Sequence, residues 1–157
     1  MQLAPSADMT APERPITADP IAEAGQLLRK ATRLPFEAKR PRAWARQFSS
    51  LVSDARKAVV AHILRAERPD SAINQLSAER PELRPVIERQ NGEHKTLLLE
   101  VFQLAEDAQV LSNPGIWDMV EFTEKAKSLV QALERHQRRL VDITYEATWR
   151  DIGGEAG

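Results

Sequence analysis

Three histidines are the residues of this chain best placed to do chemistry. His62, His94 and His136 each fall on the apolar stripe of a different predicted helix. Imidazoles projecting from several helices toward a common axis are how helical proteins assemble an internal metal site. Such a site also wants carboxylates, to neutralise and often bridge the ions. A carboxylate one turn after a histidine on the same stripe would deliver a second ligand to the same point. The residues four positions beyond His62 and His136 are instead Ala66 and Leu140.

The nearest acids are displaced around the helices. Glu67 follows His62 by five residues, about 140° around the axis. Glu93 adjoins His94 but points roughly 100° away from it. Asp142 and Glu146 lie six and ten residues after His136. The candidate metal ligands are therefore His62, His94 and His136, with Glu67 as the shifted acid. Convergence of three imidazoles would still suffice for one Zn²⁺ or Fe²⁺ with an open position.

The elements that must carry these residues are helical. Asp19-Pro20 reads as an N-cap and first helical residue, followed by a modest apolar face over Ile21, Ala24, Leu27, Leu28 and Ala31, ending at Pro35. The second helix carries a heptad-like seam of Trp44, Phe48, Leu51, Ala55, Ala58 and His62, stopping near Arg68-Pro69. Asp70-Ser71 is expected to cap a short helical turn over Ala72, Ile73 and Leu76. The next long helix begins near Pro81 or Pro85 and bears Ile87, Gln90, His94, Leu97, Val101, Leu104 and Ala108. Gly92 within it costs about 1 kcal/mol relative to alanine without breaking register. After the turn Asn113-Pro114-Gly115, the longest helix carries Phe122, Ala126, Leu129, Leu133, His136, Leu140, Ile143 and Ala147, up to Gly153-Gly154. No segment alternates with a period of two, so no sheet is expected. The fold expected is all-α, an up-down-up-down four-helix bundle over residues 19–154, preceded by a disordered tail over 1–18.

Composition limits the function. The 157 residues carry a net charge of -1, with 42% hydrophobic and 29% charged residues. That balance gives no electrostatic case for nucleic acid, and no stretch is apolar enough to span a membrane. The chain has no cysteine, which removes thiolate metal sites, iron–sulfur clusters and cysteine nucleophiles. A reducing cytoplasm suits such a chain, and its N-terminus has no secretory pattern. There is no phosphate-binding glycine loop and no nucleophile elbow, so no enzymatic activity is expected. The cluster Lys39, Arg40, Arg42 and Arg46 reads as a solvated connector, and Arg135, Arg138 and Arg139 as a solvated helix face. Trp44, Trp117 and Trp149 are expected to cap the core; a protein partner is the other use they allow.

Four stretches, AHILRAER, ERPELRPVIERQNGEHKTLLLEVFQL, ALERH and EATWRDIGGE, together resemble a hemerythrin-like domain of bacterial type over about residues 44 to 154. The resemblance implies a four-helix bundle around a diiron site that binds dioxygen or handles iron, oxygen or redox signals. By position, His62, His94 and His136 match family ligand histidines. Ala66 and Leu140 stand where the family commonly has glutamates, and Leu98 where some members have another histidine. The resemblance thus implies a degenerate member, a non-enzymatic binding or regulatory module with a vestigial metal site and no cofactor. The alternative is a reduced histidine site holding iron or zinc for oxygen, iron or redox sensing.

Overall fold

A computed structural model describes residues 19–153; the expected tail over 1–18 lies outside the described residues. Among the described residues there are five α-helices and no strand: α1 (Pro20–Thr32), α2 (Pro41–Ala66), α3 (Ala72–Glu79), α4 (Arg84–Gln109) and α5 (Ile116–Gly153), with a 3-10 turn over Pro81–Leu83 before α4.

The helix starts follow local chemistry. Asp19 caps α1, its Oδ1 accepting from the Ile21 N–H at 2.9 Å, with Pro20 preset for the first turn. Ser71 caps α3 by accepting from the Asn74 N–H at 3.2 Å. Asn74 then donates to the carbonyls of Ala66 and Arg68, at 3.3 and 2.8 Å, and so ties α3 to the end of α2. The short turn expected over Ala72, Ile73 and Leu76 is therefore a full two-turn helix.

The long helices pack pairwise: α1 and α4 each lie against both α2 and α5. The apolar stripes of α4 and α5 are buried as the periodicity expects, except that Leu140 is only half-buried. On α2, Leu51 is half-buried while Val52 and Val59 are fully enclosed. A strict heptad drifts about 20° per repeat on a straight helix. Because α2 faces both α1 and α4, it needs a wider apolar stripe than a two-helix seam.

Two apolar clusters result. The larger joins Leu28 of α1, Phe48, Val52 and Val59 of α2, Leu97 and Val101 of α4 and Leu133 of α5. The smaller joins Ile73, Leu83, Ile87, Ile143 and Ala147, with Leu76 and Leu140 against it. Along α4 and α5, His94 and His136 fall between them, while His62 follows Val59, the last buried α2 residue of the larger cluster. Val59, Leu97 and Leu133 lie three residues from the respective histidines on the large-cluster side.

The tryptophans divide. Trp44 is buried and stacks on Phe48 with ring centres 4.8 Å apart. Trp117 and Trp149 are 81% and 55% exposed, so they do not cap the core as expected. Both stand on the outward side of α5, whose inward side is already filled by its apolar stripe. Lys39, Arg40, Arg42 and Arg46 are exposed, consistent with a solvated connector.

Candidate metal centre

The three histidines converge. Each offers one ring nitrogen, and these nitrogens all lie within 4.8 Å of one another. All three residues are buried, and their ring centres are 4.9–5.4 Å apart. His62 and His136 approach most closely through Nε2, at 3.3 Å.

What orients the rings is a set of carboxylates behind them. His62 Nδ1 is 2.8 Å from Asp19 Oδ1. His94 Nδ1 is 3.1 Å from Glu67 Oε1, and His136 Nδ1 is 3.0 Å from Glu93 Oε2. An ionised carboxylate only accepts, so each Nδ1–H donates, and in a neutral ring that leaves the lone pair on Nε2. In every case the acid comes from a neighbouring element: the cap of α1 serves α2, the end of α2 serves α4, and α4 serves α5. Glu93 is held further by an ion pair with Arg139, one turn beyond His136 on α5. Gln90 donates to the backbone carbonyl of His136 at 2.7 Å, fixing α4 against α5 at this level.

Two of these acids were visible in the sequence as misplaced ligands, and their misplacement is their use. Glu67 stands behind His94 instead of joining the nitrogens, because it caps the end of α2 and turns toward α4. Glu93 points away from His94, as the helix geometry requires, and toward His136. Asp19 was read only as a helix cap, yet one oxygen both caps α1 and orients His62. Spacing along the chain carries no signal for this second role, because it depends on how α1 is set against α2. Asp142 is exposed and is not among the residues that could hold an ion together.

Burial favours the neutral form of His94 and His136. Burial lowers the pKa of His94 and outweighs the raising effect of its Glu67 bond; the nearby His62 lowers it further. Burial likewise lowers His136 against the Glu93 bond, with His94 and His62 adding to the depression. For Asp19, burial acts upward, but the bonds from His62 and the Ile21 N–H, with the charges of His62 and Arg65, hold it below the usual value of 3.8.

A pH dependence follows. When the folded pKa lies below the unfolded one, the unfolded chain binds more protons, so stability rises with pH. His94 and His136 thus contribute stability that is complete above 6.5 and is lost as pH falls through their lower folded values. Urea unfolding of metal-stripped protein should give a smaller free energy at about pH 5 than at about pH 7.5. Equal free energies would show that the rings are not held neutral by burial.

Beside the histidines, a cleft of about 660 Å³ opens between α2, α3 and α5. His62 and Asp19 form part of its wall, as do Ala66 and Leu140. The positions one turn beyond His62 and His136 therefore border open space. Both residues are half-buried, and Leu140 also packs against the smaller apolar cluster. Ala72, Ile73 and Leu76 of α3, which Asn74 ties to the end of α2, line this space.

No protein-family model, curated protein or solved structure matches this chain.

Proposed function

We propose that this chain is a metal-binding protein with a mononuclear site made by His62, His94 and His136, suited to Zn²⁺. The observation that carries the reading is the 3.3 Å approach of two Nε2 atoms whose rings both donate from Nδ1. Three buried imidazoles converge there, and a cation held by their Nε2 atoms would satisfy nitrogens that face one another. Tetrahedral zinc with Zn–N of 2.0–2.1 Å separates its nitrogens by about 3.3–3.4 Å, a spacing that the His62–His136 pair has and toward which the full set, spread over 4.8 Å, would close on binding. The carboxylates behind the rings are the usual companions of metal-bound histidine, fixing the tautomer and raising its basicity. The depressed pKa values of His94 and His136 keep their lone pairs available at neutral pH.

A diiron centre does not fit these residues. Ala66 and Leu140 offer no bridging carboxylate, and Glu67 and Glu93 are engaged with Nδ1 atoms. The reading closest to the hemerythrin-like resemblance is therefore a reduced, single-ion site. Its supporting frame is an up-down-up-down bundle of α1, α2, α4 and α5. Support comes from the pairwise packing and from the opposite order in which α4 and α5 carry residues of the two clusters.

The test is zinc retention. Protein loaded with Zn²⁺ and freed of excess metal should keep one equivalent. At free zinc about 100 times Kd it should gain about 2.7 kcal/mol of stability, a rise in Tm of about 5–10 °C for a chain of this size. No retained zinc and no thermal shift would end this reading.

The carboxylates behind the rings should matter in proportion to how well they are held. Glu93→Gln replaces the ionised acceptor behind His136 with a neutral amide oxygen and removes the charge that pairs with Arg139, and zinc affinity should fall about 10–100-fold. Glu67, 51% exposed against 25% for Glu93, should matter less. Competition against a chromophoric chelator measures both, and unchanged affinity in Glu93→Gln would place no metal at His136.

A further inference from the structure

We infer that Asp19 couples the metal site to the first turn of α1, so that zinc binding and the docking of that turn onto α2 favour one another. The inference rests on the metal reading above and adds a positioning residue to it. One atom carries the link: Asp19 Oδ1 accepts from the Ile21 N–H at 2.9 Å and lies 2.8 Å from His62 Nδ1. This is the shortest of the three carboxylate–histidine contacts, the others being 3.1 and 3.0 Å. Of the three acids, Asp19 is the one whose ring-bonding oxygen also caps a helix.

The chemistry runs in both directions. A cation on Nε2 draws electron density from the ring and makes Nδ1–H a stronger donor. Against an ionised carboxylate that bond approaches the charge-assisted kind, roughly twice as strong as a neutral one. Asp19 supplies the charge at neutral pH: burial opposes it, yet the bonds from His62 and Ile21 keep the carboxyl below its usual value. In return, an α1 start held in place keeps the His62 ring turned toward the other two imidazoles. Such coupling is reciprocal: the factor by which the docked turn tightens zinc is the factor by which zinc favours the docked turn.

The start of α1 is where such a link has leverage. Among the helices that share the larger cluster, α1 is the shortest, with 13 residues against 26 in α2 and in α4. Helix ends open before helix centres, because their outer turns lack a full set of intrahelical bonds. In this first turn the Ala22 N–H also bonds to Asp19, through its backbone carbonyl at 3.0 Å. Ile21, in the same turn, is 1% exposed and belongs to the larger cluster. Opening the turn therefore withdraws a core side chain together with the acceptor behind His62. Zinc occupancy thereby sets how often this corner of the core opens.

Amide hydrogen exchange followed by NMR on the full chain, metal-free and zinc-loaded, reads the coupling. Zinc should slow exchange of the Ile21 and Ala22 amides about 10-fold or more. The Asn74 amide is the control and should slow less, because Ser71 caps α3 through a hydroxyl that bonds no histidine among the described residues. Asp19→Ser keeps a capping oxygen and removes the carboxylate behind His62. It should keep the helix start, lose about 10–100-fold in zinc affinity by chelator competition, and lose the zinc-dependent slowing at Ile21. A cap with a purely structural role would leave zinc affinity unchanged in this variant. Asp19→Asn, an equally good cap, takes its place if the serine variant does not fold. Zinc bound without selective slowing at Ile21, or bound as tightly by the variant as by the wild type, would overturn the coupling and leave the metal reading intact. No zinc bound by the wild type would overturn both.

Discussion

His136→Ala should abolish stoichiometric zinc binding, with affinity reduced by more than the 10–100-fold expected for a supporting carboxylate. His136 closes the site from α5. It provides the Nε2 that stands 3.3 Å from that of His62, and without it two imidazoles on α2 and α4 remain. The fold should survive, because α5 keeps Leu129, Leu133, Ile143 and Ala147 in the two apolar clusters. The loss does leave Glu93 without its ring partner, though Arg139 still pairs with it. Helical circular dichroism with elemental analysis of the same sample separates loss of metal from loss of structure. His62→Gln is the companion variant, since it removes the other Nε2 of the close pair and keeps most of the side-chain volume. One retained equivalent of zinc in both variants would reject the three-histidine site.

Phe48→Ala should cost about 3–5 kcal/mol of stability, a large part of what a domain of this size has to lose. Phe48 is fully buried. Its ring stacks on Trp44 and meets the Phe122 ring edge-on, with centres 5.8 Å apart. It therefore joins α2 to α5 at the end of the large cluster remote from the histidines. Removing it opens a cavity that neither neighbouring ring can close without leaving its own contacts. Phe48 is 14 residues from His62, about 20 Å along α2. Zinc stoichiometry at low temperature should thus be unchanged while the urea midpoint falls. A loss under about 1 kcal/mol would contradict Phe48 as a core residue, and a loss of metal at full helicity would contradict the independence of the two ends.

The contrast between these residues marks what a linear pattern can express. Periodicity placed His62, His94 and His136 on buried stripes, and they are buried. It placed Ile87, Gln90, Leu97 and Val101 inside, and they are inside. It favoured Leu51 over Val52 on α2 because a heptad template assumes one facing helix where α2 has two. The template also led to Trp117 and Trp149 being assigned to the core by analogy with Trp44, although neither follows the apolar stripe of α5.

The acids were harder to read for a different reason. On one helix, Glu67 and Glu93 point away from the histidines nearest them in sequence. Whether that makes them solvated charges or hydrogen-bond acceptors depends on the neighbouring helix, its rotation and its axial offset. Residues as far apart as Asp19 and His62, or Glu93 and His136, meet only once those quantities are fixed. The cleft is of the same kind. Ala66 and Leu140 look like seam residues until the angle of α3, pinned by Asn74 to the end of α2, leaves open space above them.

The sequence by itself thus determined the helices, their buried faces and the three imidazoles that share those faces, because each follows from spacing along one chain segment. The tertiary structure alone decided that the imidazoles meet, that each has a carboxylate behind it, and that a cleft adjoins them. Those outcomes depend on how separate helices are set against one another, which no single stretch of residues encodes.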